Sequence, residues 1–270
     1  MHHKKRAFMK KRNRSILSAL MILLSFTPNS FSIDDPFEPC SPEIVQIIYQ
    51  TMLDIHDFFQ QNNITYWIDS GTLLGAVRHR GLIKWDDDLD LCIFEEHEKE
   101  LLKLFPILKL AGYEMVGMPF GYKIYPINGI DIPNGRPWKH PGCDIFIMTT
   151  DGNKAFYKHR FSRERDGNLE GNLSDILPMR TYFFGPLIVM GPRNPLPYLK
   201  SWYGENCMTS AYINYIHATE TRINPATKLL IDQDDFKPAL PTNALKHNVK
   251  PYAVEQWPVD FLDRYPKAMG

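Results

Sequence analysis

Apolar side chains recur along this chain with two periods, and the change from one to the other outlines its elements. From Ser41 to Gln61, the residues Val45, Ile48, Met52, Ile55 and Phe59 fall three or four apart, which is one face of a helix. Ser41 is placed to cap that helix and Pro42 suits its first turn. Asn62-Asn63 ends it, and Ile64 to Asp69 reads as a short strand. Gly71 begins a turn into a short helix over Thr72 to Arg78, Gly81 closes that helix, and Leu89 to Phe94 is a second strand. Glu95 to Phe105 is a helix whose acidic first turn complements the positive end of its dipole. Pro106 kinks or ends it, and Gly112 stops whatever continues. Tyr113 to Gly117 and Gly121 to Tyr125 read as two strands joined near Met118-Pro119, with another expected over Ile130-Asp131-Ile132.

A loop rich in Pro, Gly and His leads to a further strand, Cys143 to Met148. Asn153 to Ser174 is polar and reads as irregular towards its end. Tyr182 to Met190 reads as one strand or extended segment, and Pro195 to Tyr203 as a short helix ending at Gly204. After Cys207 the pattern dissolves into Pro, Asn and Asp, so residues 208–270 are expected to form an irregular C-terminal extension. Strands separated by helices of these lengths suggest α/β or α+β, and their order favours an α+β fold with a small mixed sheet flanked by helices.

With 270 residues, 44% hydrophobic and 23% charged, the chain has the mix of a globular protein of one large or two small domains. That composition excludes a disordered chain, a collagen and a multi-span membrane protein. The formal net charge of zero hides two unlike parts. Seven positive charges fall in the first 14 residues and no acid precedes Asp34. An apolar run of 11 residues follows, Ile16 to Phe26, and Ser30-Phe31-Ser32 offers small residues two apart. Such a leader describes a secretory signal peptide over 1–32, with a short uncleaved anchor as the alternative. The run is well short of the ~20 residues that span a membrane. Cleavage after Ser32 would leave 238 residues with a formal charge of about −7, a poor surface for nucleic acid and a good one for cations.

Cys40, Cys92, Cys143 and Cys207 form no C-x-x-C pair, which speaks against a zinc ribbon or a thioredoxin-type site. In a secreted chain they permit two disulfides in three connectivities, and Cys40 with Cys207 is one that both positions allow, outside the expected core strands. Asn63-Ile64-Thr65 and Asn172-Leu173-Ser174 are sequons usable in a eukaryotic secretory pathway.

Candidate chemistry concentrates between Tyr66 and Asp144. Ser70-Gly71-Thr72 lies between a strand and a helix, where free backbone N–H groups and the positive dipole end suit a phosphate; a simple N-cap is the alternative. Asp88 and Asp90 alternate with Leu89 and Leu91, so on a strand both carboxylates face one side, roughly 7 Å apart at the backbone. Two such carboxylates can reach one divalent ion, and burying them without a cation costs several kcal/mol. A solvated acidic turn is the plainer reading of Asp86-Asp87-Asp88, but Leu89, Leu91 and Ile93 require a covered face. Asp144 begins an otherwise apolar strand, and if that strand neighbours Asp88 and Asp90 the three acids converge on a site for one or two Mg²⁺ or Mn²⁺ ions.

The runs Trp67 to His79, Trp85 to Asp90 and Cys143 to Phe146 resemble the LicD/fukutin family of the DNA-polymerase-β-like nucleotidyltransferase superfamily. Weaker echoes lie at Leu177-Pro178-Met179-Arg180, Tyr198-Leu199 and Tyr203-Gly204, so the resemblance covers a domain over about 41–207. It implies a nucleotidyltransferase-like sheet, a phosphate-facing turn at Ser70 and Gly71 extending to Thr72, metal ligands at Asp88 and Asp90, and a third acid at Asp144 that helps deprotonate an acceptor hydroxyl. It also implies transfer of a phosphorylated alcohol, such as phosphocholine or ribitol phosphate, from a CDP-activated donor to a glycan hydroxyl on protein or lipid, releasing CMP. Arg78, Lys84 and Lys123 are then candidates for the donor's diphosphate, or else solvated surface charges. Trp85 is read as a packing residue and His79 as structural. A cysteine-rich zinc-binding region carried by some secreted members is not reproduced by four isolated cysteines.

Donor chemistry bears on compartment. CDP-linked donors are scarce in a periplasm, so a secretory leader with sequons favours a luminal enzyme of the Golgi or endoplasmic reticulum, or a secreted one. Two other readings remain. A Mn²⁺-dependent Asp-x-Asp glycosyltransferase would place a nucleotide-binding βαβ region ahead of its acids, and about 50 mature residues are too few for it. A catalytically inactive binding protein of the same fold would not need the three acids.

Overall fold

The computed structural model describes residues 37–248, apart from 134, 166–170 and 233. The basic leader and its apolar run lie outside the described residues. Among the described residues no helix is long and apolar enough to cross a membrane.

The first helix, α1 (Pro42–Gln61), forms where the apolar period predicts it, with Ser41 Oγ accepting the Ile44 N–H at 3.4 Å. All five predicted apolar positions enter the main core. A short strand β1 (Tyr66–Ile68) follows, then α2 (Ser70–Arg78) and β2 (Leu89–Phe94). The helix α2 starts two residues earlier than expected, so Ser70 and Gly71 are its first turn and not a preceding one. The single helix expected over Glu95 to Phe105 is instead a 3₁₀ turn at Glu95–His97, then α3 (Glu98–Lys103) and α4 (Phe105–Leu110). Pro106 has no N–H to continue a helix but fits the first turn of a new one.

Next come β3 (Tyr113–Met118) and β4 (Gly121–Pro126), the expected pair, and two-residue strands β5 (Ile130–Asp131) and β6 (Lys139–His140). After them stands β7 (Cys143–Asp151), longer than predicted. The polar stretch read as irregular contains β8 (Lys154–Tyr157), α5 (Arg160–Arg165), β9 (Gly171–Asn172) and α6 (Leu173–Ile176), elements too short for a period to register. The single segment expected at Tyr182 to Met190 is a hairpin of β10 (Arg180–Phe184) and β11 (Leu187–Gly191), turned at Gly185 with a φ of 57°. The helix α7 (Leu196–Tyr203) ends at Gly204 as expected.

The prediction of no regular structure after Cys207 fails for the strands β12 (Ser210–Ile216) and β13 (Thr221–Leu230), which pair antiparallel. Pro225 within β13 disguises that strand; it lies between Arg222 and Thr227, where the register with β12 shifts and no pairing is made, so its missing N–H costs no ladder hydrogen bond. The Cys40–Cys207 disulfide is likewise absent. All four cysteines are free thiols, and the Cys40 thiol instead donates to the Asp86 carbonyl at 3.4 Å.

The central sheet is mixed, in the order β1-β2-β7-β4-β3, with β2 and β7 parallel and the other neighbours antiparallel. Its strands alternate between two apolar clusters. Leu89, Leu91, Ile93, Cys143, Ile145 and Ile147 join the main core with α1, while Cys92, Phe94, Phe146 and Met148 pack with Trp67 and Tyr157. At the start of β4, Gly121 has a φ of 146°, and a Cβ there would lie 2.2 Å from the Ile145 carbonyl oxygen of β7. Gly121→Ala must therefore part the two strands, and a loss of about 1–3 kcal/mol is expected in urea unfolding; an unchanged midpoint would contradict this close approach.

Candidate active site

Three strands bring charged residues to one level of the sheet. Asp90 on β2 stands opposite Asp144 on β7, and Asp144 stands opposite Lys123 on β4. The same face continues as Cys92 and Phe94 on one strand and Phe146 and Met148 on the other, so the charges sit at the end of an apolar surface. Asp88, just before β2, shares that parity. Carboxylate oxygens of Asp88, Asp90 and Asp144 lie within 4.8 Å of one another, which joins the three acids that the sequence nominates.

The backbone of Asp90 is held on both sides. Its N–H donates to Thr72 Oγ1 at 2.9 Å, and its carbonyl accepts the Asp69 N–H at 2.9 Å. The start of α2 is thereby locked to β2. Ser70, at a φ of 43°, has its Oγ bonded by Trp202 Nε1 at 3.1 Å, and buried Asp69 accepts from Tyr198 at 2.8 Å and Tyr157 at 3.0 Å. Gly71 leaves room for a neighbour: a Cβ there would lie 2.7 Å from Asp86 Oδ2. The turn expected to face phosphate is thus already approached by a carboxylate.

Electrostatics at this level are unfavourable without an added cation. Burial raises Asp90 and Asp86 well above the usual carboxylate range, and neighbouring carboxylates add to the rise. Burial lifts Asp88 to about 6, opposed by His217 and reinforced by Asp144 and Asp87. Lys123 is 4% exposed and its Nζ lies 2.5 Å from Asp144 Oδ1. Burial would lower that ammonium, but Asp144 and Asp88 outweigh it and push it up. Asp88 Oδ2 is buried and receives no aligned hydrogen bond, and Asp144 Oδ1, also buried, faces the Lys123 ammonium. Three clustered carboxylates with such oxygens fit a hard divalent cation such as Mg²⁺ or Mn²⁺.

The other nominated cations are engaged elsewhere. Arg78 is buried and donates through Nη1 to the carbonyls of Cys207 and Ser210 at 2.6 and 2.7 Å, with burial lowering its pKa to about 10. Lys84 donates to the Asp234 carbonyl at 2.7 Å. His79 is buried, its pKa lowered to about 3 by burial and by Arg78, and Trp85 packs against the core and the His79 ring.

One functional candidate escapes the sequence reading. His217, in the turn between β12 and β13, places Nδ1 2.9 Å from Asp87 Oδ1 and Nε2 3.1 Å from Asp88 Oδ2. Burial disfavours its charge, but Asp88 and Asp87 outweigh that and raise it to about 10. A lone histidine in a stretch without period carries no signal of this; only the hairpin brings it to the acids. A cavity of about 850 Å³ between α1, the β10–β11 turn and residues 240–245 shares no lining residue with the acid cluster.

Residues 63–194 match the family model described as LicD/FKTN/FKRP, nucleotidyltransferase domain. The chain belongs to the LicD/FKTN/FKRP family. The matched region contains Ser70, Asp88, Asp90, Lys123 and Asp144 and ends before β12. An uncharacterized protein of Rickettsia prowazekii is 34% identical over 206 residues, 75% of this chain and 72% of that one. A second, from Rickettsia typhi, is 34% identical over 206 residues, 75% of this chain and 61% of its own length. Lipopolysaccharide cholinephosphotransferase LicD of Haemophilus influenzae is 33% identical over 61 residues, 22% of this chain and 23% of that protein. Human ribitol 5-phosphate transferase FKRP is 34% identical over 55 residues, 20% of this chain and 11% of that protein.

The Lys123–Asp144 pair sets a stability test. Lys123→Met leaves a buried carboxylate without its partner and is expected to cost about 3–5 kcal/mol in urea unfolding. Adding Asp144→Asn to that variant should recover part of the loss; equal stability of all three proteins would remove the pair as an anchor of the site.

Proposed function

We propose that this chain transfers a phosphorylated alcohol, of the phosphocholine or ribitol phosphate kind, from a CDP-activated donor to a glycan hydroxyl, releasing CMP. The observation that carries this reading is the convergence of buried Asp88 and Asp144 with half-buried Asp90, with Asp90 and Asp144 set opposite each other by the β2–β7 register, within the region matched to the family. The names of the LicD and FKRP relatives, a cholinephosphotransferase and a ribitol 5-phosphate transferase, support the class of group transferred.

In this reaction the acceptor oxygen bonds to the phosphorus that carries the alcohol. The bond from that phosphorus to the CMP oxygen breaks, and CMP leaves with the electron pair. Asp144 is assigned to take the proton of the hydroxyl, and Lys123 at 2.5 Å orients it. Asp88, Asp90 and Asp144 would hold a divalent cation, which when bound neutralises diphosphate oxygens and acidifies the hydroxyl. Arg78 and Lys84 already donate to main-chain carbonyls and Lys123 is paired with Asp144, so the first-turn N–H groups of α2 are the candidates to meet the diphosphate.

Two measurements test this. Mn²⁺ with saturating CDP is expected to raise the melting temperature by about 5–10 °C, the shift of a ligand near 100 times its Kd on a domain of this size. A larger shift with UDP or GDP would favour a nucleotide-sugar glycosyltransferase instead. Asp90→Ala should abolish CMP release while the protein stays folded, because it removes a charge and not core packing; full activity in that variant would overturn the assignment.

A further inference from the structure

We propose that His217 and Asp88 form a second divalent-cation position, beside the one assigned to Asp88, Asp90 and Asp144 and sharing Asp88 with it. The proposal rests on the acid-triad reading above and adds a nitrogen ligand from outside the region matched to the family.

The ring of His217 is held from one side. Its Nδ1 lies 2.9 Å from Asp87 Oδ1, while Asp87 Oδ2 accepts the Ala218 N–H at 3.1 Å. This leaves Nε2 facing Asp88 Oδ2 at 3.1 Å. Asp88 is 3% exposed and that oxygen receives no hydrogen bond, so the approach is close without being aligned for one. Two ligand atoms bound to one ion at about 2.1 Å stand roughly 3 Å apart when their bonds meet near a right angle. The separation of Nε2 and Oδ2 already meets that requirement. Ligand atoms of Asp87, Asp88 and His217 all lie within 4.8 Å of one another.

An imidazole that donates one ring N–H to a carboxylate and offers the other nitrogen to an ion is the usual arrangement of a metal-binding histidine. Here Asp87 is that carboxylate. A nitrogen ligand favours Mn²⁺ over Mg²⁺ at this position. Two protein ligands leave most of the coordination sphere open, as suits an ion completed by phosphate oxygens.

The test uses the full chain with Mn²⁺ and inorganic diphosphate, a nitrogen-free anion. Free Mn²⁺ is counted by electron paramagnetic resonance, and pulsed measurements detect nitrogen coupling to bound Mn²⁺. Two ions per chain and an imidazole coupling are expected. His217→Ala should remove the coupling and weaken one ion about tenfold or more, whereas Asp144→Asn should lose the other ion and keep the coupling. Absence of nitrogen coupling in the unaltered protein overturns the proposal whether or not the variant folds. Unchanged coupling in His217→Ala does the same. If Asp144→Asn binds like the unaltered protein while His217→Ala loses the coupling, the triad reading fails and the histidine position stands.

Discussion

The parallel pairing of β2 with β7 in one register is the constraint on which the candidate site depends. It sets Asp90 against Asp144, and the antiparallel pairing of β7 with β4 adds Lys123 to the same row. A slip of one residue would send Asp90 into the main core and a leucine to the site, because side chains alternate faces. The odd positions, Leu89, Leu91, Ile145 and Ile147, are wholly buried and enforce this register. Hydrophobic burial on one face of the sheet therefore holds carboxylates together on the other, against their mutual repulsion. Lys123 and His217 offset part of that repulsion.

The segment after α7 is tied to this arrangement at several points. Arg78 at the end of α2 bonds the carbonyls of Cys207 and Ser210, Lys84 bonds that of Asp234, and Ala239 donates to the Leu82 carbonyl. Tyr49 of α1 accepts the Leu82 N–H at 3.0 Å and donates to the Ala239 carbonyl at 2.8 Å. Beside these ties, the β12–β13 turn sets His217 against Asp87 and Asp88. Residues beyond the family-matched region thus shape the electrostatics of the acids within it.

Much of this was legible beforehand. The helical period of Val45, Ile48, Met52, Ile55 and Phe59 and the alternation of Asp88, Leu89, Asp90 and Leu91 report burial on one face, a property each residue carries locally. Those patterns located α1, β2 and the paired acids, and the isolated Asp144 on an apolar strand located the third. The roles of the cations were not legible. A buried lysine in an ion pair, an arginine bonded to two carbonyls and a solvated charge look alike in a sequence, because the partners of Lys123 and Arg78 are distant along the chain. Gly185 and Pro225 obscure strands in a different way: one is a turn inside an aromatic run, the other a helix and strand breaker set where the register of β13 with β12 shifts.

Which segments bury an apolar face, and where acids interrupt that face, can be read from side-chain chemistry at fixed spacing along the chain. The family is legible there as well, through the runs around Trp67, Trp85 and Cys143. Which charges meet is set by the folded chain. Strand register joined Asp90, Asp144 and Lys123, hydrogen bonds drew Arg78 and Lys84 to main-chain carbonyls, and a hairpin without a sequence period carried His217 to Asp88. The reason is range: hydrophobic pattern is a property of neighbours, whereas charge pairing depends on contacts between residues far apart in the chain.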